Sequence, residues 1–123
     1  MKNPGEFVLK LFNVRTVAHI QHLTPNGQPG SDAAHRALEA FYEALIPNVD
    51  RFAECWMGCE EKLIEVGASG FKLEKDPLKL VRGVTEILKG ARAECADEPF
   101  LQQIVDDMLE TCAQTKFRLL FLK

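Results

Sequence analysis

Imidazole and carboxylate groups recur at helical intervals along one stretch of this chain. His35, Glu39, Glu43, Ile46, Asp50 and Glu54 fall within about 100° of one another on a helix of 3.6 residues per turn. Carboxylates combined with imidazole are the ligand set that helical bundles use for iron and manganese, since oxygen donors suit hard cations and nitrogen suits borderline ones. The same spacing describes the solvated flank of an amphipathic helix, and the residues alone leave both readings open. His19 and His22 form a second imidazole pair near the end of an earlier helical segment. There the helix dipole favours partial positive charge, so exposed or capping imidazoles compete with a ligand role.

Four thiols are the other candidates for chemistry. Cys55, Cys59, Cys95 and Cys112 are even in number, but a chain with an adequate core in a reducing compartment keeps such thiols free and partly buried. Cys55 and Cys59 stand four residues apart, which is not the C-x-x-C of a redox motif or a zinc knuckle. The expectation is structural thiols. Trp56 with Met57 reads as a large core or bundle-end residue, with an oligomer interface as the competing reading.

The elements that must carry these groups are helical. Four segments show the helical period, and period-two alternation is confined to a short tail from Phe117 to Leu122, so the chain is all-α. The first helix is expected from about Glu6 to Leu23, with Val8, Leu11, Phe12, Val14 and Ala18 on its apolar side, and Thr24-Pro25-Asn26-Gly27 stops it. After the loop to Gly30, Ser31 or Asp32 caps a long second helix reaching about Cys59, with Ala34, Leu38, Phe41, Leu45, Val49, Phe52 and Trp56 as its stripe. Pro47 predicts a kink near Glu43 to Pro47, because it withholds a donor and clashes with the carbonyl four residues back.

From Glu60 to Lys75 the periodicity fades into a longer connection with room for a helical turn. Asp76-Pro77 and Asp97-Glu98-Pro99 then start two more helices. Leu80, Val81, Val84, Ile87, Leu88 and Ala91 line the first, and Leu101, Ile104, Val105, Met108, Cys112 and Leu119 the second. Two helix pairs joined by one longer crossover between helices two and three make a four-helix bundle of ferritin-like connectivity, filling a single domain over residues 1–123.

The run from Ala33 through Leu45 to Glu54 closely resembles the second bundle helix of Dps-type ferritin-like proteins: H-x-x-x-[DE] at His35 and Glu39, then D-x-x-x-E at Asp50 and Glu54. The chain is also similar to small ferritin-like proteins of tailed phages, through Ala18-His19-Ile20-Gln21-His22-Leu23 and Lys116-Phe117-Arg118-Leu119. The resemblance implies a ferroxidase centre, with iron or another divalent metal held by His19 or His22, His35, Glu39, Asp50 and Glu54. In that set the histidines supply neutral nitrogen, Glu39 and Glu54 terminal carboxylates and Asp50 a further or bridging one, and Fe(II) oxidation by peroxide or oxygen follows.

Geometry adds a constraint of its own. His35 and Asp50 are fifteen residues apart, or ~22 Å along one helix, far beyond one coordination sphere. Two copies of the helix packed antiparallel about a twofold axis near Tyr42 to Leu45 would bring His35 and Glu39 of one to Asp50 and Glu54 of the other. A homodimer, or a larger assembly built from dimers, is therefore expected. The competing function is a phage-type interaction or virion protein that keeps the bundle while its metal site is vestigial and its surface engages another protein.

Composition narrows the partners. The 123 residues are 46% hydrophobic and 27% charged, which suits a folded core. Fifteen Lys and Arg against eighteen Asp and Glu, with no block of like charge and no Lys-rich leading arm, give no footprint for nucleic acid. No apolar run approaches the ~20 residues of a membrane-spanning helix, and no secretory signal is visible, so a cytoplasmic setting is expected, the host's if the chain is phage-encoded.

Overall fold

Prolines and short polar caps set where the helices begin. The computed structural model describes residues 1–24, 31–67 and 72–123, and contains α1 (Pro4–Leu23), α2 (Asp32–Glu60), α3 (Pro77–Glu94) and α4 (Pro99–Phe121). No strand occurs among the described residues. Pro4, Pro77 and Pro99 each open a helix, where the missing N–H is no loss. Ser31 Oγ accepts from the Ala34 N–H and Asp76 Oδ1 from the Leu78 N–H, both at 3.0 Å, as the capping readings of these residues require.

α4 continues through the short alternating tail to Phe121, because the spacing of Cys112, Thr115 and Leu119 keeps the helical face running past the alternation. One expectation needs correction. Phe12 is 40% exposed rather than on the apolar side of α1, whose buried face runs through Phe7, Val8, Leu11, Val14, Val17 and Ala18. Of the connection with room for a helical turn, residues 63–67 and 72–76 are described and are not helical. The expected loop residues Pro25–Gly30 and the stretch Ala68–Phe71 lie outside the described residues. α2 runs unbroken through Pro47, which is exposed, and the neighbouring Asn48 side chain donates to the Ala44 carbonyl at 3.3 Å.

The predicted stripes become one core shared by all four helices. Phe41, Leu45, Val49 and Phe52 of α2 are fully buried beside Leu11 of α1, Val81 and Leu88 of α3 and Val105, Met108 and Cys112 of α4. Phe7 meets Phe52 edge-on at 4.9 Å between centroids. Trp56 lies in this core with Met57 packed against it. α1 packs against α2 and α3, and α4 against the same two, so α1 faces α4 and α2 faces α3 across the core.

Contacts at the helix ends fix the directions. Residues Asp32 to Ala40 of α2 border Arg118 to Phe121 of α4, and Glu6 to Lys10 of α1 border Glu86 to Glu94 of α3, so both packed pairs are antiparallel. The connection from α2 to α3 is held at opposite ends of α1. Gly5, near its start, lies against the Glu65 carbonyl, where a Cβ would collide. Near its finish, the buried Gln21 donates from Nε2 to the Glu74 carbonyl at 2.7 Å. None of the helices is long and apolar enough to cross a membrane, among the described residues.

Candidate functional site

The last turns of α1 and the first turns of α2 carry matching ladders. Arg15, His19 and His22 stand at positions i, i+4 and i+7 on one, and His35, Glu39 and Tyr42 at the same intervals on the other. Because the helices form a hairpin, the ladders meet in opposite order: His22 reaches His35, and His19 reaches Tyr42. The His22 and His35 rings stack with centroids 3.7 Å apart and planes 20° apart. His19 stacks on Tyr42 at 4.5 Å and 22°, and His22 meets the edge of Tyr42 at 5.6 Å.

Hydrogen bonds lock the central pair. His22 Nδ1 donates to the His35 carbonyl at 2.8 Å, and His35 Nδ1 donates to the His22 carbonyl at 2.5 Å. A carbonyl oxygen only accepts, so each Nδ1 carries its proton, and in the neutral ring Nε2 keeps the lone pair. His22 is thus neither exposed nor a cap of its own helix: it is 9% exposed and bonded across the hairpin. His35 and Glu39 are half-buried, and His19 is exposed. The Tyr42 hydroxyl is held above its ordinary pKa by desolvation first and then by the charges of Glu39 and Glu43, with Arg15 opposing them.

The far half of the acidic strip stays in solvent. Glu43, Asp50 and Glu54 are exposed, and none of Glu39, Glu43, Asp50 or Glu54 has an ion-pair partner among the described residues. Asp32, in the first turn of α2, is by contrast matched by Arg36 at 2.8 Å. Within one chain no three of the predicted donors bring their ligand atoms within 4.8 Å of one another, among the described residues. His19, His22, His35 and Glu39 are gathered at one end of the hairpin, and Asp50 and Glu54 are not brought to them. Tyr42 was missed as a member of the cluster, although its place seven residues after His35 on the same helix face was a signal for it.

The model of a family of unknown function, DUF5856, matches residues 29–119, well over half of the chain. The chain belongs to the DUF5856 family. The matched DUF5856 segment takes in α2, α3 and nearly all of α4, so His35, Glu39, Asp50 and Glu54 lie inside it, and His19 and His22 lie on the α1 side of its start. No curated protein and no solved structure matches the chain.

Proposed function

We propose that this chain is a ferritin-like metal-binding protein that takes Fe(II) as its substrate, at a site whose donors are divided between two antiparallel copies of α2. The observation that carries this reading is the reciprocal bonding of His22 and His35. Imidazoles that bind metals donate their other ring N–H to a carbonyl or carboxylate, which fixes tautomer and orientation. Here both rings are held in that way, with Glu39 one turn along α2. Nitrogen with carboxylate oxygen fits Fe(II) and, more tightly, the harder Fe(III) formed when the electron passes to oxygen or peroxide.

Two further observations support it. The contacts of Glu65 with Gly5 and of Glu74 with Gln21 at opposite ends of α1, with α2 and α3 on a diagonal, support a one-crossover, ferritin-like reading of the bundle. The uncompensated carboxylates of Asp50 and Glu54 stand ready for the histidine end of a second copy.

Complementation tests the division of donors. Fe(II) oxidation is expected in wild type and lost in His35→Ala and in Glu54→Ala. Mixing the two variants should restore activity, since a mixed dimer holds one site with both wild-type halves; with random pairing about a quarter of the sites recover. Variants that oxidise iron like wild type, or mixtures that regain nothing, would remove the proposal.

A specific feature also favours a second reading, in which the surface serves another protein. Phe117, Leu120, Phe121 and Leu122 are 55%, 48%, 71% and 47% exposed at the end of α4, beside a groove floored by Ala33, Ala37 and Ala40 of α2. Metal-free, iron-inert protein that binds a partner through this end would select that reading.

A further inference from the structure

The end of the bundle away from the histidines brings together three donors of mixed chemistry. Cys59 lies twenty-four residues after His35 on α2, or ~36 Å along the helix. Its Sγ, a carboxylate oxygen of Glu60 and one of Glu98 all lie within 4.8 Å of one another, joining the last turn of α2 to the start of α4. The geometry points to a second, independent site, formed by Cys59, Glu60 and Glu98, for a divalent cation of borderline softness such as Zn(II). Ligands sharing a tetrahedral ion at ~2.0–2.3 Å stand roughly 3.3–3.8 Å apart, so side-chain adjustments of about 1 Å complete the set, with solvent in the fourth position.

No salt bridge neutralises this cluster among the described residues. α2 ends in Glu60 and Glu61 with no basic residue in its last turn, so two carboxylates sit at the negative end of the helix dipole. Glu60 and Glu98 have no ion-pair partner among the described residues, whereas Asp106 is matched across helices by Arg92 at 2.6 Å and Asp107 by Arg51 at 3.2 Å. The nearby Lys62 directs its ammonium over the Trp56 ring, 5.6 Å from the centroid. Glu98 occupies the N-cap of α4 yet makes no side-chain cap bond, so its carboxylate is not committed to its own helix.

Cys59 is held above its ordinary pKa by desolvation first, then by Glu98 as a charge and as a hydrogen-bond acceptor, and by the charge of Glu60. A bound dication reverses the balance: the S–H bond breaks, the proton leaves to solvent, and an S–Zn bond forms with no change of oxidation state. Cys55, one turn earlier and also exposed, is not a member of the group, which makes it the natural control.

Co(II) titration of the full chain, with a non-thiol reductant present, tests the site through thiolate-to-cobalt charge-transfer absorption, and Zn(II) competition gives affinity. Wild type should take up one ion per chain with that absorption. Cys59→Ser should abolish it, Cys55→Ala should keep it, and Glu98→Gln should weaken Zn(II) binding by about tenfold or more. All three positions lie at the surface or half-exposed, and far-ultraviolet circular dichroism confirms folding of each variant. Absorption missing from wild type, surviving Cys59→Ser or lost in Cys55→Ala, or an unchanged affinity in Glu98→Gln, would overturn the site. None of these readouts depends on His22, His35 or iron oxidation.

Discussion

Cys112 is fully buried in the core, and burial pushes its thiol from 9.0 up to about 11, with a hydrogen bond from the Thr85 side and the charge of Lys116 opposing. The sign follows from proton uptake. Between pH 9 and 11 the unfolded chain releases a proton that the folded chain retains, so this residue's contribution is intact below that window and is lost as pH rises through it. The expected slope is about 1.4 kcal/mol per pH unit. Urea unfolding of wild type and Cys112→Ala across the window checks it: the slope should be shallower in the variant, whatever the variant's baseline stability. In the α1–α2 hairpin, His35→Ala leaves the His22 carbonyl without its side-chain donor and removes the ring on which His22 stacks. A loss of about 1–3 kcal/mol in unfolding free energy is expected, measurable without any metal. The imidazoles themselves were legible in the sequence. Which of His19 and His22 meets His35 was not, because the answer depends on how the two helices turn toward each other.

Among the elements, α2 carries the sharpest prediction. Pro47 is exposed within an unbroken helix, so Pro47→Ala returns a donor to the Glu43 carbonyl and removes a ring clash. Thermal unfolding should show a gain of about 1–3 kcal/mol. Gly5→Ala should do the opposite at the start of α1: its Cβ enters the space of the Glu65 carbonyl, and displacing that backbone costs about 1–3 kcal/mol. The starts of α2, α3 and α4 were readable because Ser31, Pro77 and Pro99 act through local backbone chemistry, whereas α1 opens at Pro4, two residues ahead of the expected Glu6. The end of α4 was harder, since Phe117, Leu119 and Phe121 fit a period of two as well as a helical turn. Phe12 was misplaced because an apolar residue at helical spacing does not reveal which side of a helix a neighbour will cover.

For the whole molecule, the core and the sites separate. Phe52 is fully buried where α1 crosses α2, and Phe52→Ala should cost about 3–5 kcal/mol in chemical unfolding. Sedimentation of the wild-type chain is expected to give a dimer or a multiple of one, and a strict monomer at working concentration would leave the divided iron site without its second half. The core was legible because each stripe had to be buried by some neighbour. The Cys59–Glu98 meeting was not: those residues are thirty-nine positions apart, and only the antiparallel packing of α2 on α4 brings them together.

The paired rings of His22 and His35 also act as a latch on the α1–α2 hairpin. They close a thirteen-residue span with two hydrogen bonds of their own, so the loop end of the hairpin is held by the latch in addition to the core that α1 and α2 share, whatever the length of chain between them. Glycine-serine insertions between Thr24 and Ser31 should therefore be absorbed cheaply, at about 0.6 kcal/mol for each doubling of the loop, with the ring stacking preserved. The same insertions in a His22→Ala background should fray the loop end of the hairpin, seen as broadened amide resonances in the last turns of α1.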